Sequence, residues 1–145
     1  NNLVQPGKLT VCGEKMDLGN LDLPVYIYGS REDHIVPINA AYASTQVLPG
    51  KKRFVMGASG HIAGVINPPA KGKRSHWIRA DGKLPATLDQ WLQGATEHPG
   101  SWWTDWSGWL KGHAGKQIAA PKGYGKGTKF KALEPAPGSY VKQKS

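Results

Sequence analysis

No apolar run among the 145 residues approaches the ~18 that a membrane-spanning helix needs, so no membrane span is expected. Cysteine occurs once, at Cys12, which excludes an internal disulfide and a cysteine-rich zinc site. A lone thiol suits a reducing compartment, and the common fate of a free cysteine predicts a buried, inert Cys12. No Gly-x-Cys-x-Gly or Gly-x-Ser-x-Gly stretch occurs, so the strand-to-helix elbow that presents a nucleophile is missing. Cys12 has no glycine two residues before it, and His61 stands where the second glycine after Ser59 should fall. Acidic residues are scarce towards the end: residues 111–145 hold eight lysines and only Glu134, which is +7 of the total +9. The body is therefore near neutral and the tail basic. The opening Asn1-Asn2 is neither an initiator methionine nor a secretory leader, and the expectation is a soluble piece of a longer protein.

What is present begins with an apolar, β-branched and aromatic run, Leu23-Pro24-Val25-Tyr26-Ile27-Tyr28, closed by Gly29-Ser30. Apolar residues at consecutive positions predict a strand covered on both faces, as in a parallel sheet. A polar loop through Asp33-His34 follows. Pro37 then fits the first turn of a helix to about Leu48, with Ile38, Ala41, Tyr42, Thr45 and Leu48 at helical spacing. A second strand, Arg53-Phe54-Val55-Met56, ends at Gly57, before the loop Ala58-Ser59-Gly60-His61. A right-handed crossover makes these strands parallel, with both loops at the carboxyl edge where open α/β sheets bind ligands. Residues 62–84 read as irregular. Thr87 and Gln90 form a capping-box pattern for a helix through Ala95, broken by Pro99-Gly100. Ser101 caps another helix, whose Trp102, Trp106 and Trp109 share a stripe suited to packing; Trp103 is the member expected in solvent. Beyond Gly112, glycine, proline and lysine predict an extended tail. Two or three strands cannot make a covered parallel sheet alone, so further strands are expected upstream.

Asp33 and His61 lead the candidates for chemistry. An imidazole accepts and returns a proton near neutral pH. A carboxylate beside it fixes its tautomer or takes a proton-transfer role of its own. Both residues follow strand ends, in the acid-then-histidine order of α/β-hydrolase sheets. His34 and Ser59 are candidates for support of that pair. Lys71, Lys73 and Arg74 suit either a solvated loop or contact with an anionic ligand. His76, His98 and His113 show no metal-ligand offsets, and no metal is expected.

The stretches around this pair carry a resemblance. Gly29-Ser30-Arg31-Glu32-Asp33-His34-Ile35-Val36-Pro37 and Ser59-Gly60-His61-Ile62-Ala63-Gly64-Val65-Ile66-Asn67-Pro68-Pro69 resemble the acid and histidine loops of polyhydroxyalkanoate synthases. Lys73-Arg74-Ser75-His76-Trp77, Gly100-Ser101-Trp102-Trp103 and Glu134-Pro135-Ala136-Pro137-Gly138 extend the match across the chain, which looks most like the single-subunit, short-chain (class I) type. The resemblance implies the C-terminal part of an α/β-hydrolase catalytic domain over residues 1–110, with a tryptophan-rich helical extension and a basic tail over 111–145. It implies polymerisation of (R)-3-hydroxyacyl-CoA, such as 3-hydroxybutyryl-CoA, into polyester with release of CoA. The nucleophile would be a cysteine upstream, His61 its general base, and Asp33 the acid residue that activates the monomer hydroxyl or orients His61. Lys73 and Arg74 would face CoA phosphates. No cofactor is implied, CoA being a leaving group. A cytoplasmic, granule-associated homodimer is implied for the full enzyme, and this chain alone would be inactive. The alternatives are another α/β-hydrolase, such as an esterase or depolymerase, and a non-catalytic module binding granules or nucleic acid through the tail; nucleic acid is not expected as a partner.

Overall fold

The computed structural model describes residues 2–144. They divide into a unit reaching to His113 and a second one from Ala114 onward. The first opens with a hairpin of β1 (Leu9–Val11) and β2 (Glu14–Met16). Cys12 and Gly13 form its two-residue turn with φ of 49° and 87°, the left-handed pair that a type I′ turn requires. The thiol is consequently exposed, which corrects the expectation of a buried Cys12: turn geometry places it outside any core.

The remaining elements of this unit are β3 (Val25–Ser30), α1 (Ile38–Val47), β4 (Lys52–Gly57), β5 (Ser75–Ile78), α2 (Leu88–Gln93), β6 (Thr96–Pro99) and α3 (Trp103–Lys111). The four strands form one sheet in the order β3-β4-β5-β6. β3 and β4 are parallel, with Val25 opposite Lys52 and Ser30 opposite Gly57. β5 and β6 are antiparallel additions, so the sheet is mixed rather than purely parallel. β5 lies inside the stretch that reads as irregular, and β6 occupies the positions that read as a helix stop. Four-residue strands with mixed polarity, such as Thr96-Glu97-His98-Pro99, carry almost no periodic signal.

Alternation along β3 divides its side chains between two faces. On one face Ile27 joins Tyr42, Phe54, Met56, Leu88 and Trp91 in the core beneath α1 and α2. Trp91 is 1% exposed and meets Phe54 edge-on with ring centroids 4.8 Å apart. Tyr42 donates its hydroxyl to Pro85 O at 2.6 Å, so its polar end is satisfied. On the other face Tyr26 and Tyr28 receive α3: Trp102 stacks on Tyr28 at 4.2 Å and Trp109 meets Tyr26 edge-on at 5.5 Å. Asp105 fixes this helix to the sheet. It accepts Nε of Arg53 at 2.8 Å and the Tyr26 hydroxyl at 2.9 Å, and its other oxygen accepts the second Arg53 nitrogen. Burial opposes ionisation of Asp105, yet the Arg53 and Tyr26 hydrogen bonds prevail and hold its pKa below the ordinary value. Two members of the tryptophan stripe, Trp102 and Trp109, pack on the sheet as their spacing predicts. The exposed member, however, is Trp106 and not Trp103, which is half-buried because its ring turns back to the loop after β4.

The second unit contains a short hairpin, β7 (Gly125–Lys126) with β8 (Phe130–Lys131), and a 3₁₀ turn at Tyr140–Lys142. Nearly all its residues are exposed, as lysine- and glycine-rich composition dictates.

Candidate active site

Parallel pairing of β3 and β4 in register brings their carboxyl ends together, and the loops leaving them are bonded to each other. Arg31 N donates to Gly57 O at 2.8 Å and Glu32 N to Ser59 O at 3.0 Å. Ser59 therefore touches the acid loop through its carbonyl, in a left-handed backbone conformation at φ 74°. His34 is exposed on the same loop.

The two leading residues meet at this edge. His61 Nδ1 lies 2.8 Å from Asp33 Oδ2. The other carboxylate oxygen accepts the backbone amides of Ile35 at 2.8 Å and Val36 at 2.9 Å, an Asx turn that fixes the carboxylate before α1 begins. The Val36 amide bond, outweighing the desolvation of a side chain only 7% exposed, helped by His61 and the Ile35 amide, lowers the Asp33 pKa to about 2. An ionised carboxylate is acceptor-only, so the proton between the two belongs to Nδ1 of His61. The Nε2 lone pair is thereby left available on a ring whose side chain is 42% exposed. That is the arrangement of a general base with its orienting carboxylate, presented outward.

The surroundings are apolar and open. Ile35, Val36, Ile62, Val65 and Ile66 flank the pair in sequence and all are exposed, Ile62 at 69%. Behind them Gly64 packs so closely that a Cβ there would stand 2.5 Å from Ser30 Oγ and 2.7 Å from Ala58 O. Farther along the loop an open hollow of about 360 Å³ is lined by Ile66, Asn67, Lys71, Lys73 and Arg74. Asn67, 4% exposed, donates to Lys73 O at 3.1 Å, and Gly100 N donates to Arg74 O at 2.7 Å, so the cations project from a fixed backbone. No Asp or Glu occurs between Asp33 and Asp81 in the sequence.

One pairing is invisible to offsets along the chain. His76 and His98 face each other across β5 and β6, rings 5.7 Å apart, with His76 Nδ1 3.2 Å from Gly100 O. Burial pushes the His76 pKa below the ordinary imidazole value, and the charge of His98 adds to this. Only a strand assignment for 75–78 and 96–99 would have revealed the pair.

No protein-family model matches the chain. Among curated proteins it is 63% identical, over all 145 residues, to the poly(3-hydroxyalkanoate) polymerase subunit PhaC of Cupriavidus necator, covering 24% of that protein. It is 38% identical over 144 residues to the Rhizobium etli protein of the same name, covering 22% of it. It is also 38% identical over 141 residues to poly(3-hydroxyalkanoate) polymerase 2 of Ectopseudomonas oleovorans, covering 25%. The chain thus spans about a quarter of the length of the curated relatives it matches.

Proposed function

Because the chain is homologous over its whole length to one quarter of the poly(3-hydroxyalkanoate) polymerases, we propose that it carries the acid–base half of their acyl-transfer site. The observation that carries this reading is the 2.8 Å contact between His61 and an ionised Asp33 at the end of two parallel strands. The sheet is read as the end of an α/β-hydrolase fold whose remaining strands, with a cysteine on an elbow, lie in the rest of the polymerase. Nε2 of His61 takes the proton of that cysteine as its sulfur attacks the thioester carbonyl of (R)-3-hydroxyacyl-CoA. The carbonyl–sulfur bond to CoA breaks, and the leaving thiolate receives the proton from His61. The 3-hydroxyl of another unit then attacks the acyl-cysteine, giving its proton to His61 or, through a shifted pose, to Asp33. An ester bond forms and the cysteine thiol is restored. Exposed Ile35, Val36, Ile62 and Ile66 favour a site covered by apolar groups, where water does not compete for the acyl group.

Lys73 and Arg74, with Lys71, are the contacts for CoA phosphates in this reading, from the hollow beyond Ile66. Ser59 supports the acid loop through its carbonyl, and His34, exposed on that loop, is assigned a supporting role beside Asp33. Association with polyester granules in the cytoplasm, as a homodimer, belongs to the same reading. A serine esterase or depolymerase would use the same pair, but the relatives' names favour the polymerase, and no observation favours a nucleic-acid module.

The test is CoA release from (R)-3-hydroxybutyryl-CoA by the complete polymerase. His61→Ala and Asp33→Asn should each lower turnover by a factor on the order of 10³ or more. Near-normal release from His61→Ala would remove the assignment. In the same assay, Lys73→Gln/Arg74→Gln should cut the preference for the CoA thioester over a phosphate-free pantetheine thioester about tenfold, since each cation contributes through charge. An unchanged preference would return these residues to solvent.

A further inference from the structure

We infer that Trp103, together with Trp102, is a positioning residue for His61, acting through the backbone carbonyls of the turn that carries the histidine. The inference rests on the reading of His61 as general base. Residues 61–65 make a single helical turn, closed by Gly64 N to Gly60 O and Ile66 N to Ile62 O, both at 2.9 Å. One turn of helix does not hold itself in water. Its last carbonyls have no partner within it.

Those carbonyls are the acceptors that the two indoles reach. Trp102 Nε1 donates to Gly64 O and Val65 O, each at 3.2 Å, and Trp103 Nε1 donates to Val65 O at 2.9 Å. An indole nitrogen can only donate, so the direction of these bonds is unambiguous. Two side chains thus cap the turn: Gly64 O takes Trp102, and Val65 O takes both indoles beside the Asn67 amide at 3.1 Å, with Trp103 the shortest of the three.

The donors are themselves anchored. Trp102 is 9% exposed and stacked on Tyr28, whose hydroxyl lies 2.9 Å from Ser30 Oγ. Asp105 locks the same helix to Arg53 and Tyr26 on the sheet. On the other side the turn lies against Ser30 and Ala58 at Gly64. A continuous path therefore runs from the sheet through α3 and the indole N–H groups to the turn of His61. Packing alone accounts for Trp102. It does not account for Trp103, whose half-buried ring leaves its N–H on a carbonyl when the alternative was water.

The complete polymerase is assayed with Trp103→Phe and, separately, with 3-benzothienylalanine at position 103, which keeps the shape of tryptophan without the N–H. The expected result for both is a fall in kcat of about fivefold, the weight of one neutral hydrogen bond, with KM unchanged and the melting temperature lowered by no more than about 4 °C. In an Asp33→Asn background, where the base is already misaligned, the same change at 103 should have little further effect. Full kcat with the sulfur isostere would overturn the inference, even if Trp103→Phe does not fold. An equal loss in both backgrounds would overturn it too, as a structural role. If His61→Ala itself retains CoA release, the reading of the base fails; if His61→Ala is inactive and the isostere is fully active, only the positioning role fails.

Discussion

The two oxygens of Asp33 have separate partners. One is spent on the amides of Ile35 and Val36, which costs the loop its freedom but removes any competition for the other, and that one faces His61. Since the folded value of about 2 lies below the ordinary 3.8, Asp33 contributes stability above pH 3.8 that is lost as pH falls through 3.8 towards 2. In infrared difference spectra Asp33 should therefore show no protonated-carboxyl C=O band between about pH 5 and 7, where the unfolded group is also ionised. A protonated carboxyl band assigned to Asp33 in that range would mean a carboxylic acid that donates to His61, and the proton would then sit on the other partner. That Asp33 and His61 lie together was legible in sequence for a physical reason: each sits in a short loop directly after one of two strands that pair in parallel. Cys12 was misread because type I′ geometry depends on the pair Cys12-Gly13 and not on the apolarity of a thiol.

At the scale of elements, the β3–α1–β4 unit was readable from its apolar runs and the Pro37 boundary, to within two residues. β5 and β6 were not, because their four-residue lengths hold too few periods and their cross-strand partners are far apart in sequence. The tryptophan helix was legible as packing, but its hydrogen bonds to the histidine turn depend on a side-chain direction that spacing does not encode. The turn is gripped between that helix and the end of β3, and Gly64 is the point of closest approach. Gly64→Ala would drive a methyl group into Ser30 and the carbonyls of Ala58 and Gly60, at 2.5 to 2.8 Å. Displacing the turn by about an ångström should lower kcat by roughly a hundredfold. A normal kcat with Gly64→Ala, measured as CoA release by the complete polymerase, would show that the turn tolerates movement.

For the molecule as a whole, the two edges of the sheet differ. β6 presents Glu97, His98 and Pro99, residues that discourage further pairing. β3 presents Val25-Tyr26-Ile27-Tyr28-Gly29-Ser30 with no charge, and no strand lies on its far side among the described residues. Under the proposed function, that uncharged edge, beside apolar side chains around the Asp33–His61 pair, is the place for the further strands that bring a nucleophile to Nε2. The proposed function requires proton transfer from a cysteine to His61, and the most direct test is the pre-steady-state burst of CoA when the complete polymerase is mixed with (R)-3-hydroxybutyryl-CoA. The His61→Ala enzyme should show no burst, because its cysteine is not deprotonated when the thioester arrives. A burst of normal rate and amplitude from His61→Ala would contradict the account, since the cysteine would then be acylated without this histidine.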